Sequence, residues 1–229
     1  MKRFITIAAL SFGLLVGVVT AQPTPEDVYK CFVELGVSDL QTLQAGFAKG
    51  FADKRITPDT ALKLCQRLKQ SPAPISLREG VLQIIARALL EDLPVEMLVD
   101  KAFEGLTKGV PLDVINDELL ERKATLGEVK ALLVSKGIVA NITIRTGPIT
   151  IQLTLAIVDT VITEAARALE DYVRGGGKLE DANAIKSAVQ LRLMLNPIIP
   201  KTLTNYIDQV VSAIEWAQIA QNIANRLKK

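Results

Sequence analysis

A chain of 229 residues is long enough to bury a hydrophobic core without the help of a metal ion or many disulfides. It is 49% hydrophobic but only 4% aromatic, so Ala, Leu, Ile and Val supply the apolar content, as is typical of helix-rich proteins. The chain contains no histidine, which excludes Ser-His-Asp and Cys-His catalysis, His-ligated zinc and an imidazole pH switch.

A signal peptide is predicted at residues 1–21. Lys2 and Arg3 form a short basic start, an apolar run follows, and small residues end the run at Ala21, where a signal peptidase would cut. The run is short for a membrane-spanning helix, which is the alternative interpretation. We therefore expect an exported protein, in the bacterial periplasm or outside the cell, that begins at Gln22 and has no transmembrane segment after cleavage.

The expected mature chain carries no net charge. When Lys2 and Arg3 leave with the signal peptide, the 27 Lys and Arg residues fall to 25, which equals the number of Asp and Glu residues. Neither a basic excess nor a concentrated basic patch is present, so no nucleic-acid partner is expected. The basic residues at the C-terminus complement the negative end of a predicted terminal helix.

Two cysteines, Cys31 and Cys65, remain in the mature chain. In an oxidising compartment, an even pair with no other partner predicts one disulfide. Both residues lie on the apolar sides of predicted helices, so two buried free thiols are the alternative. Neither is expected to act as a nucleophile, because no histidine can activate it.

Residues 22–137 are predicted to form about seven short helices. The first begins at the N-cap Thr24 with Pro25 at its first position, and it ends at Gly36. Later helices begin at capping boxes or prolines, most of them preceded by an aliphatic residue that can act as a hydrophobic staple. These predicted starts are Ser38, Thr57, Ser76, Pro94, Pro111 and Thr125. The spacing of the first five, 17 to 19 residues, allows either an irregular bundle or a helical repeat.

One segment resembles a stretch found in uncharacterised bacterial exported helical proteins. The residues that carry the resemblance are Leu93-Pro94, Lys101 and the run Glu-Gly-Leu-Thr-Lys-Gly-Val-Pro at 104–111. The similar region extends over residues 80–130. The resemblance implies bacterial export and a helical fold. It implies no catalytic residue, because no activity is established for that stretch.

Residues 138–229 are predicted to form a bundle of three longer helices. Apolar residues at 151–172 recur every three or four positions, which is the a/d pattern of a heptad repeat. A second helix is expected over 179–195, where Asn-Pro ends it, and a third from Pro200 to the C-terminus. The predicted fold class is therefore all-α, with short capped helices followed by this bundle.

Residues 140–155 allow two interpretations. Aliphatic residues alternate on either side of Gly147-Pro148, which is typical of a β-hairpin. However, the heptad pattern begins inside this segment at Ile151, and Pro148 suits a first helical position. We favour an extended segment over 140–145 and a helix from about 148.

The last predicted helix carries two apolar stripes. The first stripe is expected to pack against the heptad pattern at 151–172, because helices that are neighbours in sequence usually meet in space. Its residues are Leu203, Ile207, Val210, Val211 and Ile214. The second stripe lies about half a turn round the helix and consists of Trp216, Ala220, Ile223 and Leu227. It is a candidate interface, because a Trp-centred apolar stripe is typical of interface anchors; burial inside the chain is the alternative.

No residue pattern predicts a catalytic, cofactor or metal site. Arg174-Gly-Gly-Gly-Lys178 lacks the first glycine of a P-loop, and Leu179 occupies the position of the magnesium-binding Ser or Thr. Adjacent acids such as Glu170-Asp171 point about 100° apart on a helix, so they do not converge on one bond. We predict a non-enzymatic envelope scaffold or adaptor, without a cofactor, that forms helix–helix contacts with itself or another envelope protein. The alternative is a carrier that holds a lipid or other apolar ligand between helices.

Overall fold

The computed structural model describes residues 22–146 and 149–228. The short-helix region contains α1 (Pro25–Leu35), α2 (Leu40–Ala52), α3 (Pro58–Gln70), α4 (Ile75–Leu90), α5 (Glu96–Lys108) and α6 (Leu112–Ser135). The rest contains β1 (Thr143–Thr146), β2 (Ile149–Gln152), α7 (Leu155–Arg174), α8 (Ala182–Leu195), α9 (Lys201–Val210) and α10 (Ala213–Leu227). The predicted all-α class is confirmed, since one two-stranded sheet accounts for all the strands of the described ranges.

The predicted signal peptide at residues 1–21 lies outside the described residues. Within the described ranges, no helix combines the length and the apolar character that crossing a membrane requires.

The predicted disulfide is confirmed. Cys31 on α1 and Cys65 on α3 are bonded, with their Cα atoms 6.3 Å apart. Both residues are buried, and α1 packs directly against α3. The bond therefore fastens the first helix to the third inside the core rather than at the surface.

Helix α6 replaces two predicted helices, because Thr125 does not start a new one. Thr125 is buried in the middle of α6, and its hydroxyl donates a hydrogen bond to the carbonyl oxygen of Glu121, one turn earlier. Leu126, Val129 and Leu133 continue the buried side of the helix beyond it. The helix therefore continues through Thr125. The short-helix region has six helices in its described residues, not seven.

A carboxylate from α4 holds the start of α2, where two separate capping boxes were predicted. The backbone N–H groups of Ser38 and Asp39 both donate to Glu79, at 3.0 and 2.9 Å. Asp39 is the N-cap of α2, and α4 begins at Ile75 without a side-chain cap. The predicted boxes at Ser38 and Ser76 are therefore wrong, because Glu79 binds across the helix pair instead of its own helix start.

Helices α2 and α4 can approach this closely because α2 presents glycine to α4. A Cβ atom on Gly46 would lie 2.5 Å from the carbonyl oxygen of Ala86, so no larger residue fits there without a shift of the backbone. This contact places the N-terminus of α2 within reach of Glu79.

The favoured interpretation of residues 140–155 is wrong, and the β-hairpin is correct. β1 and β2 are antiparallel with Ile144 opposite Ile151. Ile144, Ile151 and Leu153 are buried, so alternate residues face the core, as in a half-buried strand. Helix α7 begins only at Leu155, after the N-cap Thr154.

The third predicted long helix is broken into α9 and α10. Val211 has extended backbone angles, and Ser212 starts α10 with a capping box formed with Glu215. α9 lies mainly against α8 and β2, not along α7 as predicted for the first stripe. Because the helix is broken, Ile214 leaves that stripe and is 76% exposed.

One continuous cluster of buried apolar side chains extends from Val28 on α1 to Ile223 on α10. Helix α6 connects the two predicted regions, since it packs against α4 and α5 on one side and against α7 and α10 on the other. Residues 22–137 and 138–228 therefore share a core in the described structure.

Candidate functional site

The predicted interface on the last helix is not at the surface. Trp216 is 1% exposed, and Ala220 and Ile223 are also buried; only Leu227, at the end of the stripe, is partly exposed. The cover comes from the chain itself, because α10 packs against α6, α7 and α8. This corrects the interface prediction in favour of its alternative, burial inside the chain.

An exposed apolar stripe lies instead on α8 and the turn that follows it. We call it the α8 stripe; its residues Leu191, Met194, Leu195 and Ile198 are 60%, 47%, 74% and 59% exposed. Leu191, Met194 and Leu195 are spaced by three and four residues, which places them on one face of the helix, and Ile198 follows in the turn after it. A contiguous apolar surface of this kind is typical of a protein contact site.

Helix α8 is therefore apolar on two opposite sides. Ile185, Val189 and Leu193 are buried on the other side, where α8 packs against α7 and α10. A helix that only covers a core keeps one apolar stripe. The α8 stripe is not evident from the sequence, because its residues are interleaved with these core residues, although Leu191, Met194 and Leu195 have helical spacing.

Exposed apolar residues elsewhere are not arranged in this way on α6. Val114 and Leu120 are each 52% exposed, but they lie six residues apart, on different faces of the helix. Isolated exposed apolar residues are normal in proteins. The pair therefore offers a control for experiments on the α8 stripe.

An open cavity of about 520 Å³, which we call the junction cleft, begins where the α8 stripe ends. Ile198 belongs to both, and Asn196 lines the cleft beside it. The other walls come from residues 53–55, 94–96 and 154–164. The cleft therefore lies between the loops after α2 and α4 and the first half of α7.

A buried arginine joins these three walls. Arg55 Nε and Nη2 donate to the two carboxylate oxygens of Asp159 on α7 at 2.7 and 3.0 Å, and Nη1 donates to Asp92 Oδ1 at 3.1 Å. The Arg55 side chain is only 5% exposed. Burial raises the pKa of Asp159, although the hydrogen bonds and the charge of Arg55 oppose the shift. This bidentate pair joins two walls of the cleft, the loop after α2 and helix α7.

Carboxylates outnumber cations on the walls of the cleft. Its lining contains Asp53, Glu96, Asp159 and Glu164, but only two cations, Lys54 and Arg55. Arg55 already binds Asp159 and Asp92, so the negative charges of the other lining carboxylates are compensated by neighbouring arginines.

Arg167 binds three carboxylates at or near the edge of the cleft. Arg167 donates to Glu96 and Asp100 at 3.2 Å each and to Glu164 at 3.1 Å. Glu164 has a second cation, Arg192 of α8, at 2.7 Å. Burial and the nearby charge of Glu96 raise the pKa of Asp100, an effect that Arg167 only partly opposes. Glu96 and Asp100 of α5 therefore share one arginine, which Glu164 also binds.

A second open cavity, of about 600 Å³, lies between the end of α3 and the start of α6. Leu106, Gly109, Val110 and Pro111, from the segment of the proposed resemblance, form part of its wall. Arg67 and Asp113 also line it, so it is not an apolar chamber. Within residues 22–146 and 149–228, no three His, Cys, Asp or Glu side chains are grouped to hold a metal ion.

Comparisons of this chain with protein-family models, curated proteins and solved structures give no match. The resemblance at residues 104–111 therefore stays a prediction. The α8 stripe, the junction cleft and the charges around them are the surface features that can support a function.

Proposed function

We propose that this chain is an exported, non-enzymatic helical protein that binds another envelope protein through the α8 stripe. The observation that carries the proposal is the exposure of three apolar side chains on one face of α8, Leu191, Met194 and Leu195, together with that of Ile198 in the turn after the helix. Leu191, Met194 and Leu195 have the i, i+3 and i+4 spacing of the anchors by which amphipathic helices contact each other. The partner would contribute a helix of matching spacing.

The disulfide supports the exported location. Bonds of this kind form and persist in oxidising compartments, and Cys31–Cys65 lies within the core of the short-helix region. The predicted signal peptide at residues 1–21 points to the same location. Export and contact with an envelope partner remain parts of one proposal.

A carrier for a lipid is less well supported. The open cavities of about 600 and 520 Å³ have charged walls, with Arg67 and Asp113 in one and Arg55 and Asp159 in the other. An apolar ligand would leave these charges without water. Organic extraction of purified protein followed by mass spectrometry is expected to yield no stoichiometric lipid.

Site-specific photocrosslinking in a bacterial host that produces the protein tests the proposed contact. A photoreactive phenylalanine analogue at Leu191 or Leu195 is expected to give a discrete crosslinked protein, because both positions face outward on α8. The same analogue at Val114 or Leu120 serves as the control, since these residues are similarly exposed but isolated.

The comparison of the two sets of positions decides the result. Equal crosslinking at α8 and at α6, or none at α8, contradicts a contact through the α8 stripe. A crosslinked species with the mass of two copies of this chain would identify the partner as the protein itself.

A further inference from the structure

We infer that the partner segment is a basic amphipathic helix, whose apolar face lies on the α8 stripe and whose Lys or Arg enters the junction cleft. This inference rests on the proposed function and specifies the chemistry of the partner. It follows from the position of the cleft at the end of the stripe and from the charges on the cleft walls.

The stripe and the cleft form one continuous surface. Ile198 is 59% exposed as the last member of the stripe, and it also lines the cleft. Glu164, on the opposite wall, accepts a hydrogen bond from Arg192 of α8 at 2.7 Å, so the wall is tied to the helix that carries the stripe. Leu191 and Leu195 lie one helical turn apart, about 6 Å, so a helix that continues past them toward Ile198 would bring its next turn to the mouth of the cleft.

The walls of the cleft favour a cation. Four carboxylates and two cations line it, and Arg55 already binds Asp159 and Asp92. On the rim, Glu96 and Asp100 lie one turn apart on α5 and share Arg167. An ammonium group supplies three donors and a guanidinium five, which the free lone pairs of these carboxylates can accept.

Two other occupants fit less well. An anionic membrane surface would be repelled by the carboxylates at the end of the stripe. A second copy would add only the same four apolar residues, whereas stable interfaces use about 20–30 residues on each side. A peptide helix requires a smaller surface and supplies a further positive charge beside Glu96 and Asp100, which share Arg167.

Selection from a phage-displayed library of short helical peptides, with the purified protein as the target, tests the inference. Enriched peptides are expected to combine apolar residues at i, i+3, i+4 and i+7 with a Lys or Arg in the adjacent turn. One enriched peptide is then synthesised, and its affinity is measured by fluorescence anisotropy for three proteins. These are the native chain, the stripe variant Leu191→Ser/Leu195→Ser and the cleft variant Asp53→Asn/Glu96→Gln.

The two variants test separately the contact through the stripe and the entry of a basic residue into the cleft. The stripe variant should weaken binding at least tenfold, because it removes two central apolar anchors. The cleft variant should weaken it about fivefold at about 0.15 M salt and have little effect at about 1 M salt, where exposed ion pairs are screened. Val114→Ser/Leu120→Ser is the matched control and should leave the affinity unchanged.

The other outcomes contradict either the inference alone or both the inference and the proposed contact. Enriched peptides without a basic residue, or binding that the cleft variant leaves unchanged at low salt, overturn the inference but not the contact through the stripe. Binding that the stripe variant leaves unchanged, or no enriched peptide, overturns both. Binding of the native chain to vesicles of phosphatidylcholine and phosphatidylglycerol, lost in the stripe variant, would assign the stripe to a membrane surface instead.

Discussion

Removing the carboxylate of Glu79 should destabilise the protein more than the loss of any exposed acid. Glu79 is 8% exposed and accepts hydrogen bonds from the backbone and hydroxyl of Ser38, from the backbone of Asp39 and from Gln83. The two backbone donors precede α2 and have no other partner in the described structure. Their loss leaves N–H groups unsatisfied at the start of that helix.

The expected size of the effect follows from these bonds. A hydrogen bond to a charged group contributes about 1.5–3 kcal/mol, and desolvation of Glu79 offsets part of the sum. Glu79→Ala should therefore lower the free energy of unfolding by about 3–4 kcal/mol, because it removes every acceptor at once. Glu79→Gln should cost about 1–2 kcal/mol, since the amide keeps one acceptor oxygen but turns its NH₂ group toward a donor.

Urea denaturation of both variants measures the effect, with Glu180→Gln as a control. Glu180 is exposed, so its substitution should change stability by less than about 0.5 kcal/mol. The slope of the free energy against urea should stay the same, because the fold is unchanged. If Glu79→Ala and Glu180→Gln cost the same, the hydrogen bonds across the α2–α4 pair do not stabilise the fold, and the reasoning is wrong.

The pH dependence gives a second check on Glu79. Burial alone would raise its pKa, but the hydrogen bonds from Ser38, Asp39 and Gln83 lower the pKa below the ordinary value of 4.5. A carboxyl with a lowered pKa stabilises the fold above its unfolded pKa, and this stabilisation is lost as the pH falls. The native chain should therefore lose stability more steeply than Glu79→Gln does as the pH falls below 4.5.

Three further predictions concern α10 and the disulfide. Trp216→Ala should lower the free energy of unfolding by about 3–5 kcal/mol, measured with urea; a loss below about 1 kcal/mol would contradict its burial. Cys31→Ala/Cys65→Ala removes a disulfide between residues 34 positions apart and should lower the free energy of unfolding by about 3–4 kcal/mol. Thiol labelling of the unfolded, unreduced native chain should find no free thiol, and two free thiols would refute the bond. The hydrogen bond from Lys136 and those from the helix start lower the pKa of Glu215 from 4.5 to about 2. Its stabilisation should therefore be present above pH 4.5 and fade toward pH 2, a dependence that Glu215→Gln should lack in urea midpoints.

Local signals predicted those features whose partners lie close in sequence. Thr24 and Thr57 cap α1 and α3 as expected, because an N-cap binds a backbone group three residues away. Glu79 could not be placed in the same way. It satisfies the same Ser-x-x-Glu pattern, but its partners lie 40 and 41 residues earlier, across a helix contact that the sequence does not specify.

Two errors have a common physical cause. The pattern at Thr125 resembles a capping box, and the pattern at Ile151 resembles the start of a heptad repeat, yet each local pattern fits two conformations. Burial decides between them: the middle of α6 faces the core at Thr125, and the hairpin places Ile144 and Ile151 side by side against it. Such choices depend on the neighbours in space.

The candidate interface was misplaced for a related reason. Periodicity identifies apolar positions, but it does not tell which of them the rest of the chain will cover. Trp216 is buried on α10, which packs against three helices, whereas Leu195, on a helix with two opposite apolar sides, remains exposed. A helix that is apolar on two sides predicts a second contact, and only the packed structure tells which side is free.

Helix α6 determines how the protein is expected to unfold. Its 24 residues extend about 36 Å and pack against α4, α5, α7 and α10, so each predicted region loses a wall of its core if this helix frays. Neither region is then expected to fold independently of the other. Unfolding should be a single cooperative transition. Amide hydrogens in the central turns of α6 should exchange with solvent only through global opening, at the slowest rates in the molecule.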